Sequence, residues 1–269
     1  DGDHWYYFDS KGKKVVDDNK KINGKTYYFN EDGEMLDGWH EENGDVFYLG
    51  GEDEGWRAEN QWLWLEKPGD ADEDNDDEQI LDCADEDDCD DEGWYWFGSN
   101  GKMYKDTGKK KVNGRYYMFN EHGQMLYEWI NGTKVKPADG STPSNAELDG
   151  NATPGSAKIS DMYYYNIVEE GWRGDGWYEI DGSEDVGTDS DTDWYFFDDG
   201  EAEHADVTKD GATYDGDGKM VYVAKIKVDS SKGKKYFAFN ENGQMQTGLQ
   251  YIKQDGGFYY FDENGYMQD

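Results

Sequence analysis

Histidines, carboxylates and cysteines are the side chains of this sequence that could perform catalysis or hold a metal. None of the four histidines stands in a zinc motif, and the chain has no nucleophile elbow or phosphate-binding loop. His122 occupies a turn position that Asp32 and Asn242 hold in equivalent segments, which indicates a turn residue. With 63 acidic side chains, any single carboxylate pair is uninformative about glycoside hydrolysis. The sequence therefore predicts a protein that is not an enzyme.

Two acidic segments have the alternating spacing of a calcium-binding loop. The aspartates of residues 70–74 alternate, but Asn75 stands where such a loop has its glycine and Leu81 where it has its bidentate glutamate. Residues 189–193 are similar and equally incomplete. A solvated acidic loop is therefore the preferred interpretation. No cofactor is predicted, and calcium is the one candidate.

The two cysteines, Cys83 and Cys89, lie six positions apart in an acidic segment. A local disulfide is the preferred interpretation, and it would fit an oxidising compartment. A soft-metal site is the alternative, although it needs more ligands than this pair supplies.

Aromatic side chains form the clearest pattern. The chain has 22 Tyr, 11 Trp and 11 Phe in 269 residues, although only 35% of its residues are hydrophobic. In six places the last ring of an aromatic cluster is followed four positions later by Gly, and two further on by Met. These last rings are Phe29, Phe97, Phe119, Tyr214, Phe239 and Phe261. Repetition of this kind indicates short structural units in series.

Each unit is predicted to form a β-hairpin. Tyr-Tyr-Phe favours a strand, residues 30–33 (Asn-Glu-Asp-Gly) form a turn, and Met35 begins the return strand. Asn23-Gly24 is a further tight-turn signal. A unit of about twenty residues cannot bury its own rings, so neighbouring hairpins must stack. The predicted fold is all-β: an elongated solenoid of stacked β-hairpin repeats with acidic and Gly/Ser/Pro-rich loop insertions.

Insertions divide the repeats into three blocks, which open with aromatic clusters at residues 5–8, 94–97 and 194–197. The predicted organisation, in chain order, is repeat block one (1–69), an acidic insertion (70–92), the first part of block two (93–130), a loop insertion (131–160), the second part of block two (161–182), an acidic loop (183–193) and block three (194–269).

Composition and charge exclude several classes of protein. The formal charge of −37 argues against nucleic acid and anionic lipid, because phosphate binding needs clustered Lys and Arg. No run of about 18 apolar residues exists that could insert into a membrane. A disordered acidic chain is poor in aromatic residues, whereas 16% of this chain is aromatic.

Residues 23–39, Asn-Gly-Lys-Thr-Tyr-Tyr-Phe-Asn-Glu-Asp-Gly-Glu-Met-Leu-Asp-Gly-Trp, resemble the cell-wall-binding repeats of Gram-positive surface proteins. That superfamily includes choline-binding modules, glucan-binding modules of glucosyltransferases and the receptor-binding tails of clostridial toxins. The resemblance implies a left-handed solenoid of hairpins. In choline-binding members a ligand lies between successive hairpins, caged by two Trp and one Tyr. The resemblance also implies a secreted or cell-surface protein attached to the cell wall.

The resemblance assigns ligand binding to eight aromatic residues. They are Trp5, Trp94 and Trp194 at the hairpin Trp position, Trp39 and Trp129 four residues after Met, and Tyr28, Tyr48 and Tyr260 at the second Tyr position. The chain departs from the family pattern at Thr26, which replaces a hairpin Trp, and at Leu249, which replaces a Trp after Met. Complete choline cages are therefore expected to be few or absent. Sugar rings, which can stack on single exposed rings, are the favoured ligands.

The predicted function is non-catalytic binding of cell-wall polysaccharide or host glycan through aromatic sites at hairpin junctions. Several weak sites would together give a higher overall affinity, because binding at one site raises the effective concentration of the ligand at the next. Three alternatives remain open. They are an anchor on the choline of teichoic acid, a structural or protein-binding surface stalk whose rings are all core, and a calcium-dependent adhesin.

Overall fold

The computed structural model describes residues 4–51, 53–68, 90–131, 159–182, 192–214, 218 and 220–268. Within these residues the chain contains only β-strands and one 3-10 turn, Ile159–Asp161. The predicted all-β class is therefore confirmed. Cys83, Cys89 and most of the predicted insertions, including most of both calcium-like segments, lie outside the described residues. The disulfide and calcium hypotheses stay predictions.

The described residues form twenty strands, most of them four to six residues long. They are β1 Asp18–Ile22, β2 Lys25–Phe29, β3 Trp39–Glu42, β4 Asp45–Tyr48, β5 Gln61–Glu66, β6 Glu92–Phe97, β7 Thr107–Val112, β8 Arg115–Phe119, β9 Met125–Leu126, β10 Glu128–Asn131, β11 Met162–Tyr165, β12 Gly176–Ile180, β13 Asp193–Asp198, β14 Glu201–Ala202, β15 Ala212–Tyr214, β16 Met220–Val228, β17 Lys235–Asn240, β18 Met245–Gln246, β19 Gly248–Ile252 and β20 Gly257–Phe261.

Neighbouring strands pair antiparallel into small separate sheets of two to four strands. In the hairpin β1–β2, Asp18 lies opposite Phe29 and Ile22 opposite Lys25. Asn23 and Gly24 connect the two strands with φ angles of 50° and 88°. Two successive positive φ angles are the requirement of a type I′ turn, whose twist matches that of the strands. The Asn-Gly signal in the sequence therefore marked this hairpin correctly.

In five of the six motifs the return strand after Gly-x-Met is shorter than the sequence predicted, and the exception is Met220, which begins the nine-residue strand β16. Met35 makes a single bridge to Phe29, and the equivalent strands β9 and β18 have two residues each. The cause is a backbone hydrogen bond to an earlier segment, because Met35 N donates to Trp5 O at 2.8 Å. The chain leaves its own sheet to make that bond. The long partner of the Tyr-Tyr-Phe strand is therefore the strand before it.

The chain divides into two compact units. Unit 1 comprises Asp1–Thr107 and Phe119–Met125, and unit 2 comprises Gly108–Met118 and Leu126–Asp269. The predicted division into three blocks and the elongated solenoid both stay predictions.

Successive hairpins are hydrogen-bonded in the same way inside each unit. In unit 1, Arg57 N donates to Thr26 O at 2.8 Å, and in unit 2, Arg173 N donates to Tyr116 O at 2.8 Å. Both arginines follow a Trp in the connecting segment, and both acceptors lie near the start of a strand after an Asn-Gly turn. Within each unit, a connecting segment is thus hydrogen-bonded to a strand of an earlier hairpin, whereas the stacking of successive hairpins stays a prediction.

The recurrence of Gly and Met has a packing explanation. A Cβ atom added to Gly55 would lie 2.3 Å from Sδ of Met35, and one added to Gly265 would lie 2.3 Å from Sδ of Met245. Both glycines have positive φ angles, which further disfavours a side chain there. The Met of one motif therefore needs a glycine about one repeat later in the chain.

Both units contain the same four-ring core. A Trp and a Tyr lie opposite each other in one hairpin, and a Tyr and a Phe of a following strand pack on them. The four are Trp39, Tyr48, Tyr95 and Phe97 in unit 1, and Trp129, Tyr164, Tyr195 and Phe197 in unit 2. Aromatic burial thus replaces the Leu, Ile and Val that a conventional core would use.

Buried tyrosines make the stability of the fold sensitive to alkaline pH. Burial raises the pKa of Tyr165 to about 12, and its neutral hydroxyl donates to Gly108 O at 3.1 Å. The unfolded chain releases this proton near about pH 10, so between about pH 10 and 12 it binds fewer protons than the folded chain. We expect stability to be retained below about pH 10 and to fall above it, with Tyr165 contributing roughly 2–3 kcal/mol.

Urea unfolding at several pH values from neutral to strongly alkaline would measure this loss. Tyr165→Phe should show a smaller decrease over the same interval, because it has no phenol to ionise. An unfolding free energy that stays constant through the alkaline range would contradict the expectation.

Candidate functional site

An open cavity in unit 2 is lined mainly by aromatic side chains. Its volume is about 340 Å³. The aromatic lining residues are Trp177, Trp194, Phe237 and Tyr266, and the others are Met245, Ser230, Ser231, Glu263 and Asn264.

The two indoles project from one face of the hairpin β12–β13. Trp177 lies directly opposite Phe196, two positions from Trp194, and residues two apart in a strand share a face. The ring centroids of Trp177 and Trp194 are 6.5 Å apart, with an interplanar angle of 69°. Trp194 is 42% exposed. The pair therefore forms a corner of two aromatic faces, not a flat platform.

The hairpin β16–β17 supports this corner. The ring of Phe237 lies 4.6 Å from that of Trp177 at 58°. Trp177 Nε1 donates a hydrogen bond of 2.7 Å to Asp229 O, in the loop between the two strands. Because the indole is held by both a ring and a carbonyl, its orientation is fixed before any ligand arrives.

Tyr266 contributes the fourth ring, from the segment after β20. Its ring lies 5.1 Å from Phe237 at 49°, and its hydroxyl is 3.2 Å from Ser231 Oγ. Hydrogen bonds with Ser231 and Ser230 hold the pKa of the Tyr266 phenol below its ordinary value. Lys232 Nζ lies 4.1 Å from the centroid of this ring. The loop at residues 230–232 therefore positions the tyrosine.

Two kinds of ligand suit this lining. Ring faces set at steep angles around one space attract a quaternary ammonium ion, and the carboxylate of Glu263 adds an attractive charge. The same faces can stack on a sugar ring. The exposed Ser231, Glu263 and Asn264 offer the donors and acceptors that sugar hydroxyls require.

Of the eight residues that the sequence assigned to ligand binding, Trp194 lines this cavity. Trp39 and Tyr48 are brought together with ring centroids 5.3 Å apart, but they belong to the core of unit 1. Tyr28 and Trp129 are buried, with 5% and 6% of their surface exposed. Packing between hairpins accounts for these four rings.

The other three predicted residues are more accessible but line no described aromatic cavity. Trp94 is half-buried and meets Trp64 edge-on, with ring centroids 5.5 Å apart. Trp5 and Tyr260 are 60% and 54% exposed. They remain candidates for single-ring stacking on sugars.

Sequence reasoning missed Tyr266, Phe237 and Met245 as lining residues and did not assign Trp177 to the site. For Tyr266 a signal existed. The position between Gly and Met in the repeat holds Glu, Lys or Gln in the other motifs, for example Glu34 and Gln244, and an aromatic side chain there is an exception. An aromatic residue at a position that the repeat leaves polar indicates a role outside the core.

The described residues give no support to a metal centre. No group of three or more His, Cys, Asp or Glu side chains that could hold a metal ion occurs among them. Burial and the nearby Asp198 raise the pKa of the Glu203 carboxyl, but Glu203 does not line the aromatic cavity. His122 lies in a turn after β8, as its position in the repeat predicted. In the described part of the chain, no helix is long and apolar enough to cross a membrane.

The chain is similar to one curated protein across almost its whole length. Glucosyltransferase-S of Streptococcus mutans is 26% identical over 265 residues, which cover 97% of this chain and 14% of that protein. The chain therefore spans about one seventh of the length of the curated relative that it matches.

Two solved structures from Streptococcus pneumoniae are also similar. The choline-binding domain of CbpL has 19% identity and a TM-score of 0.44, with 99% of this chain and 93% of that chain covered. Choline binding protein F has 21% identity and a TM-score of 0.39, with 93% and 78% covered.

Two family models match separate segments of the chain. The model described as a choline-binding repeat matches residues 16–62. The model described as a putative cell wall binding repeat matches residues 1–14, 89–103 and 247–267. Three of these segments contain an aromatic cluster followed by Gly and Met, the motif that also organises the hairpins. These segments of the chain are therefore similar to choline-binding and cell-wall-binding repeats.

Proposed function

We propose that this chain is a non-catalytic module that binds cell-wall or extracellular glycan, and that the aromatic cavity of unit 2 is a ligand site. The observation that carries the proposal is a set of four aromatic side chains with three exposed polar residues around one open space. Aromatic faces with a few polar groups that fix orientation are typical of ligand sites. Secretion and attachment to the cell wall belong to the same proposal.

The residues that line the cavity favour ligand binding over catalysis. Glu263 is the carboxylate of the cavity, whereas glycoside hydrolysis ordinarily requires a pair of carboxylates flanking the bond. The serines at positions 230 and 231 are engaged with Gly233 and Tyr266, and no histidine is among the lining residues. A nucleophile with its base is therefore missing from this lining.

A choline group of teichoic acid is the second candidate ligand. The steep angles between Trp177, Trp194 and Phe237 favour it, because they place several ring faces around one space. The charge of −37 would also raise the local concentration of a cation. The match of residues 16–62 to the model described as a choline-binding repeat supports the same candidate.

The indole N–H signals of a ¹⁵N-labelled chain would test the proposal. Addition of a cell-wall polysaccharide fragment or of choline, in separate titrations, should shift the signals of Trp177 and Trp194. The signal of Trp64 serves as an internal reference, because Trp64 is 43% exposed and lies outside the cavity.

The two titrations distinguish the candidates. A response to the polysaccharide at concentrations where choline gives none supports a glycan site, and the reverse supports a choline anchor. If neither ligand moves the two cavity signals, the site hypothesis fails and the structural-stalk interpretation gains support.

A further inference from the structure

Two tryptophans outside the cavity each have a cation of the chain placed on the ring. Lys25 Nζ lies 3.1 Å from the ring centroid of Trp56, and Arg115 Cζ lies 3.5 Å from that of Trp172. Both distances are well inside the range of about 6 Å over which a cation is attracted to a ring face. Both rings are half-buried, whereas Lys25 and Arg115 are exposed.

The two pairs are built in the same way in different units of the chain. Trp56 and Trp172 each belong to a Glu-Gly-Trp-Arg segment, and Lys25 and Arg115 each follow an Asn-Gly turn. The residue after each Trp donates its N–H to the residue after the corresponding cation, Thr26 or Tyr116. Because the same contact is formed twice from equivalent elements, it is a property of the repeat and not of one side-chain conformation.

Within the described residues, neither cation takes a carboxylate as its partner. The chain has 63 acidic side chains, yet among the described residues neither Lys25 nor Arg115 forms an ion pair. Each is placed on an indole face where a ligand cation would otherwise have its most favourable contact. A tethered cation also has a high effective concentration at the ring, in the millimolar range or above for short tethers.

The cavity of unit 2 differs from these two pairs in the residue at the Trp position and in the rings that a cation covers. Tyr266 occupies the position of Trp56 and Trp172, since Met267 N bonds to Tyr236 O as Arg57 N bonds to Thr26 O. Lys232 lies over Tyr266. No Lys or Arg of the described residues lies over Trp177, Trp194 or Phe237, so those faces are left to a ligand.

We propose that Lys25 and Arg115 are specificity-determining residues that close the indole faces of Trp56 and Trp172 to external cations. In their absence these faces are latent sites for a quaternary ammonium group. The chain thereby withholds these two ring faces from such ligands, whereas the indole faces of the cavity in unit 2 stay open. This inference rests on the proposed function, because it assumes that open ring faces are the recognition elements.

Choline titrations of Lys25→Met and Arg115→Met, followed by assigned indole N–H signals, test the inference. Methionine keeps an unbranched side chain but removes the charge. We choose choline concentrations that leave the indole N–H signal of Trp56 nearly unshifted in the unmodified chain. At these concentrations, the same signal in Lys25→Met should shift at least about fivefold more. Arg115→Met should do the same for Trp172. The matched control is Lys21→Met, which removes an exposed lysine of β1 and should leave Trp56 unresponsive.

The outcomes separate this inference from the proposed function, because Trp177 and Trp194 report the cavity and Trp56 and Trp172 report the closed faces. The inference is overturned if choline shifts the Trp56 signal equally in the unmodified chain and in Lys25→Met. This holds whether both shifts are large or both are absent. Preserved signal dispersion in the variants establishes that they are folded. Unresponsive cavity signals, with Trp56 responding in Lys25→Met alone, would leave this inference supported and remove the choline ligand from the cavity.

Discussion

Replacing Phe197 with alanine is expected to destabilise unit 2 by about 3–5 kcal/mol. Phe197 has no exposed surface and lies at the centre of the four-ring core. Its ring stacks on Tyr164 at 5.0 Å and 15°, and it lies 5.5 Å from Trp129. Alanine would leave a cavity where several rings now meet, and each lost ring pair adds to the transfer cost of the phenyl group.

Urea unfolding followed by tryptophan fluorescence would measure this loss, since the indole of Trp129 lies against Phe197. Phe258→Ala is the matched control, because Phe258 is 68% exposed and its ring contact in the structure is with Tyr251. The control should change stability by about 0.5 kcal/mol or less. Equal losses in the two variants would mean that the four-ring core is not the main source of stability in this unit.

Much of the fold could be predicted from the sequence because the repeat imposes strict local requirements. Asn23-Gly24 needs two positive φ angles and forms the tight turn that those residues favour. The glycine of each motif could be identified as a turn residue, but the second role that Gly265 has could not. That role depends on contact with Met245, about one repeat away in the chain. The short return strands were missed for the same reason, since their cause is a hydrogen bond to an earlier segment.

The ligand site was harder to predict, because the same motif position serves the core in one place and the surface in another. Trp39 and Trp129 match the family positions for ligand binding, yet a following strand supplies a Tyr and a Phe that pack on each of them. Periodicity identifies which residues project to one side of a hairpin. It does not reveal whether another strand or solvent lies beyond them. The exposed Trp194 could therefore be named as a candidate, but not distinguished from the others.

Replacing Trp194 with alanine is expected to lower the affinity for the ligand of the cavity about tenfold or more. Trp194 is 42% exposed and forms one side of the aromatic corner, 6.5 Å from Trp177. Its removal takes away one ring face from any cation or sugar bound there, while Trp177 keeps its bond to Asp229 and its contact with Phe237. Calorimetric titration with choline and with a cell-wall polysaccharide fragment would measure the change.

Trp64→Ala provides the matched control for this experiment. Trp64 is 43% exposed, and it meets Trp94 edge-on at 5.5 Å, much as Trp194 meets Trp177. It does not line the cavity of unit 2, so its loss should leave affinity unchanged while removing a similar amount of exposed aromatic surface. A comparable loss of affinity in both variants would assign binding to exposed indoles in general, and the cavity would then have no special role. A loss confined to Trp194→Ala would locate recognition in the cavity of unit 2, where two indoles, a phenylalanine and a tyrosine surround the same space.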